Sequence, residues 1–183
     1  WVYPKRLVMG EGARIGHLTV VKGLDLLSMG QQASIGRLNW ITGYPSGQPP
    51  HFMHQPSRRP ELDMAAHSGI TNRHLVDCTD QISIGSFSIV AGFRSQLLTH
   101  SINIATNRQE ARPIAIGRYC FVGTASTLLG GASLPDYSVL GANSLLNKSF
   151  GESYRLYGGV PAVELGELDP QLAYFLRDNV VVI

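Results

Sequence analysis

The chain has 183 residues, of which 44% are hydrophobic and 15% charged, with a formal net charge of +2 and twenty glycines. That length suits one domain hiding roughly 70% of the surface its unfolded form exposes, and a charge content well under the usual value of roughly 25% points to stacked strands and turns, or to surface covered in an oligomer. No Lys/Arg run marks a dedicated nucleic-acid binder ("PSRRP" is the densest basic spot), no apolar run approaches the roughly 18 residues of a membrane span, and two cysteines, Cys78 and Cys120, make neither a disulfide framework nor a zinc site.

In chain order, aliphatic residues recur at every sixth position. Ile15, Val21 and Leu27 open the series; after a two-residue slip at Ala33-Ser34 it resumes at Ile35 and Ile41. A Pro/His-rich loop, Tyr44 to Asp63, interrupts it, long enough to cover or border a site. Met64, Ile70 and Val76 follow, then a second slip at Ile82-Ser83, then Ile84, Val90 and Gln96. A polar loop, Asn107 to Pro113, precedes the most regular run: Ile116, Val122, Leu128, Leu134, Leu140 and Leu146. The unit reads aliphatic, often Gly, two variable residues, a small residue and one more. A helix repeats near 3.6 residues and a strand near two, so a period of six fits neither alone. It fits a parallel β-helix, in which each hexad supplies one short strand and one sharp turn. Three hexads close a triangular coil, and the aliphatic side chains stack inward on their counterparts one coil away. "DPQLAYFLRDN" then carries a helix-opening Asp-Pro with Pro170 at the first helical position, and Leu172, Phe175 and Leu176 at helical spacing. "VVVI" reads as a terminal strand or packing segment. The expected fold is all-β: a β-helix over 1–168 with excursions at 44–63 and 107–113, and a short C-terminal helix and tail over 169–183.

Three residue groups are candidates for chemistry. His100, in "LLTHSIN", sits at a corner of the repeat before the polar loop. Cys120 falls on the inward small position, which makes it a poor acyl carrier. His51, His54 and His67 are unevenly spaced in and after the Pro-rich loop, and read as solvated polar residues rather than a metal site.

The stretches "ITNRHLVDCT", "THSIN", "PIAIGRYCFVGT" and "LYGGVPA" together resemble the left-handed parallel β-helix acyltransferases of the hexapeptide-repeat superfamily, most of all the bacterial sugar O-acetyltransferases that decorate surface polysaccharides. The resemblance implies a homotrimer of parallel prisms, with acetyl-CoA lying in clefts between subunits and no metal. It implies that His100 is the general base, for which an imidazole with an ordinary pKa near 6.5 is suited. Family sequences often carry Pro after this His, where Ser101 stands here. By the same resemblance Phe121, Gly123 and Thr124 lie along the pantetheine arm, Gly141 and Ala142 let CoA approach one coil later, and Lys148 meets the nucleotide phosphates. The family's basic residue after "GVPA" is replaced by Val163, leaving Arg155 or Arg177 as substitutes. His74 and Arg94 are the candidate acceptor contacts. Transfer is expected to be direct, without a covalent intermediate, to a hydroxyl of a sugar or polysaccharide precursor, with a backbone N–H meeting the oxyanion. N-acetylation of an amino sugar and a non-catalytic interaction module are the alternatives. A β-helix carbonic anhydrase requires three zinc-binding histidines, and no His pair accompanies His100. With no signal peptide in view, the cytoplasm is the expected compartment.

Overall fold

Strands of two to four residues bury little by themselves and gain stability only by pairing with copies of themselves. The computed structural model, which describes residues 1–179, shows that pairing carried through the chain as a parallel β-helix with three sheet faces. Face one runs from Val2–Tyr3 through Val20–Lys22, Trp40–Thr42, Leu75–Asp77, Gln96–Leu98 and Thr127–Leu129 to Leu145–Leu146. Face two runs from Arg6–Met9 through Leu26–Met29, Glu61–Met64, Ile82–Ile84 and Ile114–Ile116 to Ser133–Leu134. Face three begins with Arg14–Ile15 and ends with the antiparallel pair Arg155–Gly159 and Ala162–Glu167, which closes the C-terminal end.

The register explains the six-residue period. Inside face one Val21, Ile41, Val76, Leu97, Leu128 and Leu146 form one column. Met29, Met64, Ile84, Ile116 and Leu134 form the second, and Ile35, Ile70, Val90, Val122 and Leu140 the third. None of these side chains is more than 3% exposed, and burying each stabilises by about 1.5–3 kcal/mol. Small residues sit inside the corners. Ser126 and Ser144 both donate to the Gly141 carbonyl, at 3.1 and 2.7 Å, so a polar side chain is satisfied where only a small one fits.

Several sequence expectations are corrected. Strand pairing extends to the start of the chain, ahead of the first periodic aliphatic Ile15, with Val2 paired to Val21. Leu27 pairs with Leu62 and Met29 with Met64, so the first two-residue slip falls at Leu27-Ser28, not Ala33-Ser34. Gln96 points outward and Leu97 inward, because the turn at Gly92, with φ 71°, takes one extra residue. The second excursion starts earlier than 107: it is a β-hairpin of His100–Asn103 and Arg108–Ala111. The C-terminal helix is a single turn, Ala173–Leu176, starting after Pro170, and only its Phe175 is buried. "VVVI" lies outside the described residues.

The corners differ in what they carry. At the second corner, between faces two and three, His67, Phe87, Tyr119, Tyr137 and Tyr154 all take left-handed backbone conformations, with φ from 53° to 61°. That turn aims each ring the same way, and the rings stack with centroids 4.7, 4.7, 5.2 and 4.8 Å apart. The C-terminal turn covers this column. Phe175 meets Tyr137 and Tyr154 edge-on, Arg177 lies 3.8 Å from the Tyr174 ring centroid and donates to the Phe87 carbonyl, and the Tyr119 hydroxyl donates to the Arg177 carbonyl at 3.0 Å.

Candidate active site

Both long excursions leave the same corner, the one between faces one and two. The first separates Trp40–Thr42 from Glu61–Met64, and the second separates Gln96–Leu98 from Ile114–Ile116. Between them one coil crosses the corner by a short turn, Cys78 to Gln81. The excursions therefore flank that turn, and the end of its incoming strand, Asp77, lies under both.

His100 opens the hairpin directly above it. Its Nδ1 is 2.6 Å from Asp77 Oδ2, and its backbone N–H donates to the same oxygen at 3.2 Å. A carboxylate only accepts, so Nδ1 carries the proton and Nε2 keeps a free lone pair. Asp77 is 8% exposed and is held in turn by Thr79, whose backbone N–H and hydroxyl donate to Oδ1 at 3.1 and 2.6 Å. Burial pushes the Asp77 carboxyl up, but the hydrogen bonds from His100 and Thr79 outweigh it and hold it below its ordinary value. The hydrogen bond to Asp77 in turn raises the His100 imidazole above its ordinary value, against partial burial. A base strengthened and oriented by a buried carboxylate, with 44% of its side chain open to solvent, can accept a proton from a bound hydroxyl or amine.

The Pro-rich loop packs this pair. The Phe52 ring stands edge-on to His100 with centroids 6.3 Å apart. Arg58, 7% exposed, lies 4.4 Å from the Phe52 centroid and donates to the Tyr44, Pro45 and Thr79 carbonyls, pinning the loop ends to the Asp77 turn. Gln55 grips the Ala111 backbone at both its N–H and its carbonyl, 2.9 and 3.0 Å away. His100 opens onto a cleft of about 270 Å³ with Glu110, Arg112, Gly130 and Asn147, and a second cleft, about 460 Å³, runs between loop and hairpin past His51, His54 and Arg108.

The other predicted residues divide. Phe121, Gly123, Thr124, Gly141 and Ala142 gather on and beside the third corner, between faces three and one. A Cβ on Gly123 would sit 2.5 Å from the Ala142 nitrogen, so backbone packing requires that glycine, whereas a Cβ on Gly141 would meet its nearest atom, the Tyr157 carbonyl oxygen, at an ordinary 3.5 Å. The Thr124 hydroxyl is engaged by Phe93, and Phe121 stands edge-on to Tyr174. Lys148 lies on the first corner instead, 5.1 Å from the Phe150 centroid. Within one chain His100 and the third-corner group are therefore separated by the width of face one. Arg155 is taken by Glu164 and Glu167, and Arg177 by the C-terminal clamp, so neither replaces the missing base at Val163.

His74 is corrected as an acceptor contact: it is 2% exposed, its Nδ1 accepts from the Ser95 N–H at 3.1 Å, and its Nε2 lies 2.9 Å from the Thr71 hydroxyl. Burial lowers its pKa to about 4, so it is a neutral strut. Arg94 is exposed on the third corner. Burial raises the Cys120 thiol to about 12, which leaves it inert as a nucleophile. His67 belongs to the aromatic column, far from His51 beside Tyr44. Asp77 was missed. Its signal in the sequence is indirect: it stands one coil before His100 and is followed by Cys-Thr rather than a glycine turn.

No family profile matches the chain, and no curated protein matches it in sequence. Solved structures do. A hexapeptide-repeat acetyltransferase of Vibrio cholerae O1 biovar eltor, complexed with acetyl-CoA, is 20% identical, covering 87% of this chain and 72% of its own with a TM-score of 0.56. A variant of AntD, an N-acyltransferase from Bacillus cereus complexed with dTDP-4-amino-4,6-dideoxyglucose and coenzyme A, is 12% identical, covering 88% of this chain and 83% of its own with a TM-score of 0.73. Both share the fold of this chain. Among the described residues no helix is long and apolar enough to cross a membrane.

Proposed function

We propose that this chain is an acyltransferase that moves an acetyl group from acetyl-CoA to a hydroxyl of a sugar or polysaccharide precursor, with His100 as general base. The observation that carries the reading is the 2.6 Å contact between His100 and the buried Asp77, set between two excursions on this fold. The acceptor hydroxyl gives its proton to His100 Nε2 as its oxygen attacks the thioester carbon. Collapse of the tetrahedral adduct breaks the carbon–sulfur bond, and the imidazolium proton goes to the departing thiolate. Because the third-corner group and His100 occupy opposite edges of face one, a parallel homotrimer that sets the first corner of one chain against the third corner of the next would complete a cleft. Gly123, Thr124, Gly141 and Ala142 would then flank the donor, with Phe121 beside them and Lys148 at its phosphates.

A second reading, N-acylation of an amino sugar, is favoured by the amino-sugar nucleotide bound to AntD. A thiol-release assay with acetyl-CoA against paired hydroxy and amino sugars separates the two. His100→Ala is expected to lower transfer by roughly 10²–10⁴-fold while CoA binding persists. Near-normal transfer by a folded His100→Ala protein would overturn the assignment.

A further inference from the structure

The third corner carries a second feature, toward the N-terminal end from the glycines. Arg37, Arg73 and Arg94 follow one another there in successive coils: the Arg73 N–H donates to the Arg37 carbonyl and the Arg94 N–H to the Arg73 carbonyl, both at 3.0 Å. All three side chains are exposed, and among the described residues none meets a carboxylate or any other hydrogen-bond acceptor. Arg73 lies between two clefts. One, about 360 Å³, holds Arg73 and Arg94 together with Trp40 and Leu75; the other, about 510 Å³, holds Arg37 and Arg73 with Leu38 and Phe93. No Asp or Glu lines either.

Cations carried by neighbouring coils, whose backbones lie about 4.8 Å apart, repel each other. Without a carboxylate to offset them, the repulsion remains in the free protein and is relieved by a bound anion. Guanidinium groups suit phosphate oxygens, which they contact in pairs through parallel N–H donors. Two such groups in neighbouring coils match two linked phosphates better than one. Trp40, 52% exposed at the edge of the same cleft, gives a flat apolar platform for whatever the second phosphate bears.

We propose that Arg73 and Arg94 bind the diphosphate of an activated sugar, with Trp40 supporting the group attached to its far side. Naming this ligand the acyl acceptor rests on the acyltransferase reading; the diphosphate site itself does not. Both nucleotide-linked and lipid-linked sugars carry this diphosphate; a nucleobase stacks flat on an indole and a prenyl chain packs on it through apolar contact, so the probe that depends on Trp40 separates them.

The test is calorimetric titration of the full chain with uridine diphosphate, inorganic pyrophosphate and geranyl diphosphate, each with and without saturating CoA. Wild-type protein is expected to bind at least one of the three with CoA present. The Arg73→Ala/Arg94→Ala protein should lose about ten- to a hundredfold in affinity for that probe, while Arg73→Lys/Arg94→Lys keeps part of it and CoA affinity stays unchanged. Loss of uridine diphosphate binding in Trp40→Ala marks a nucleotide, and loss of geranyl diphosphate binding marks a lipid diphosphate; unchanged binding of both overturns the role given to Trp40. The proposal is overturned if none of the probes binds, if the alanine pair binds them as the wild type does, or if that pair loses CoA, which would make these arginines donor contacts. It is also overturned if the pair changes sedimentation while keeping probe affinity, which would make the corner an interface. CoA binding that fails while Arg-dependent diphosphate binding persists removes the acyltransferase reading and leaves this site standing.

Discussion

At the residue scale the site depends on one contact made across a coil. Asp77 holds the His100 proton on Nδ1, and Asp77→Asn would offer an amide N–H in its place, favouring the tautomer whose Nε2 is already protonated. Transfer should fall by about ten- to a hundredfold, and the ascending limb of the pH profile should move to lower pH, since the carboxylate that raises the His100 pKa is gone. An unshifted limb in Asp77→Asn would remove Asp77 from the mechanism. His74 makes the opposite prediction about stability. Its folded pKa of about 4 lies below the ordinary 6.5, so the unfolded chain binds the extra proton between those values. Its contribution is present in full above about pH 6.5 and is lost toward pH 4, on the order of 3 kcal/mol. Urea titrations across that window should show the fall, and His74→Gln should flatten it. His100 runs the other way, stabilising at low pH and losing that contribution as pH rises through its elevated pKa. His100 stands out in the sequence at a repeat corner just before the polar loop, and its part as base came from the family resemblance rather than from the pattern. Asp77 was not legible there, because twenty-two intervening residues and an extra turn residue at Gly92 hide the register that joins them.

At the element scale, the six-residue period located the faces but not the extra residues between them. The single insertion at Gly92 moves the inward position from Gln96 to Leu97, and mutagenesis reads the frame directly. Leu97→Ala should cost about 2–5 kcal/mol as a buried cavity, whereas Gln96→Ala should stay within about 0.5 kcal/mol. The aromatic column escaped sequence reading because its rings occupy a variable position of the hexad. "IGSFS", "IGRYC" and "LPDYS" share it, and only the left-handed turn makes them neighbours. The C-terminal segment was read as an amphipathic helix. It is a single turn because its hold comes from side chains laid over that column, not from helical hydrogen bonds. Arg177→Ala removes its donation to the Phe87 carbonyl and its contact with Tyr174. Hydrogen exchange should then lose protection across Ala173–Leu176, with transfer activity retained. Full protection would assign the hold to Phe175 and to the hydroxyl bonds of Tyr119 and Tyr174, which the substitution leaves in place.

At the scale of the whole molecule, the chain places its two excursions on one corner, its aromatic column on another and its small residues and free arginines on the third. The proposed trimer follows from that division, and sedimentation should find it at micromolar concentration; a stable monomer would leave His100 without the third-corner residues. The division has a spectroscopic consequence. The chain has two tryptophans, Trp1 and Trp40, both exposed, and neither belongs to the column. Three of its seven tyrosines stack there in nearly parallel planes, 9° to 14° apart from ring to ring along the His67–Tyr154 stretch. Tyrosine circular dichroism near 275 nm should therefore arise largely from coupled transitions in this column, while indole fluorescence excited at longer wavelength reports the arginine cleft and the opening coil. One sample can thus be followed in two optical channels, with ligand arrival seen through indole emission and loss of the prism seen through the tyrosines.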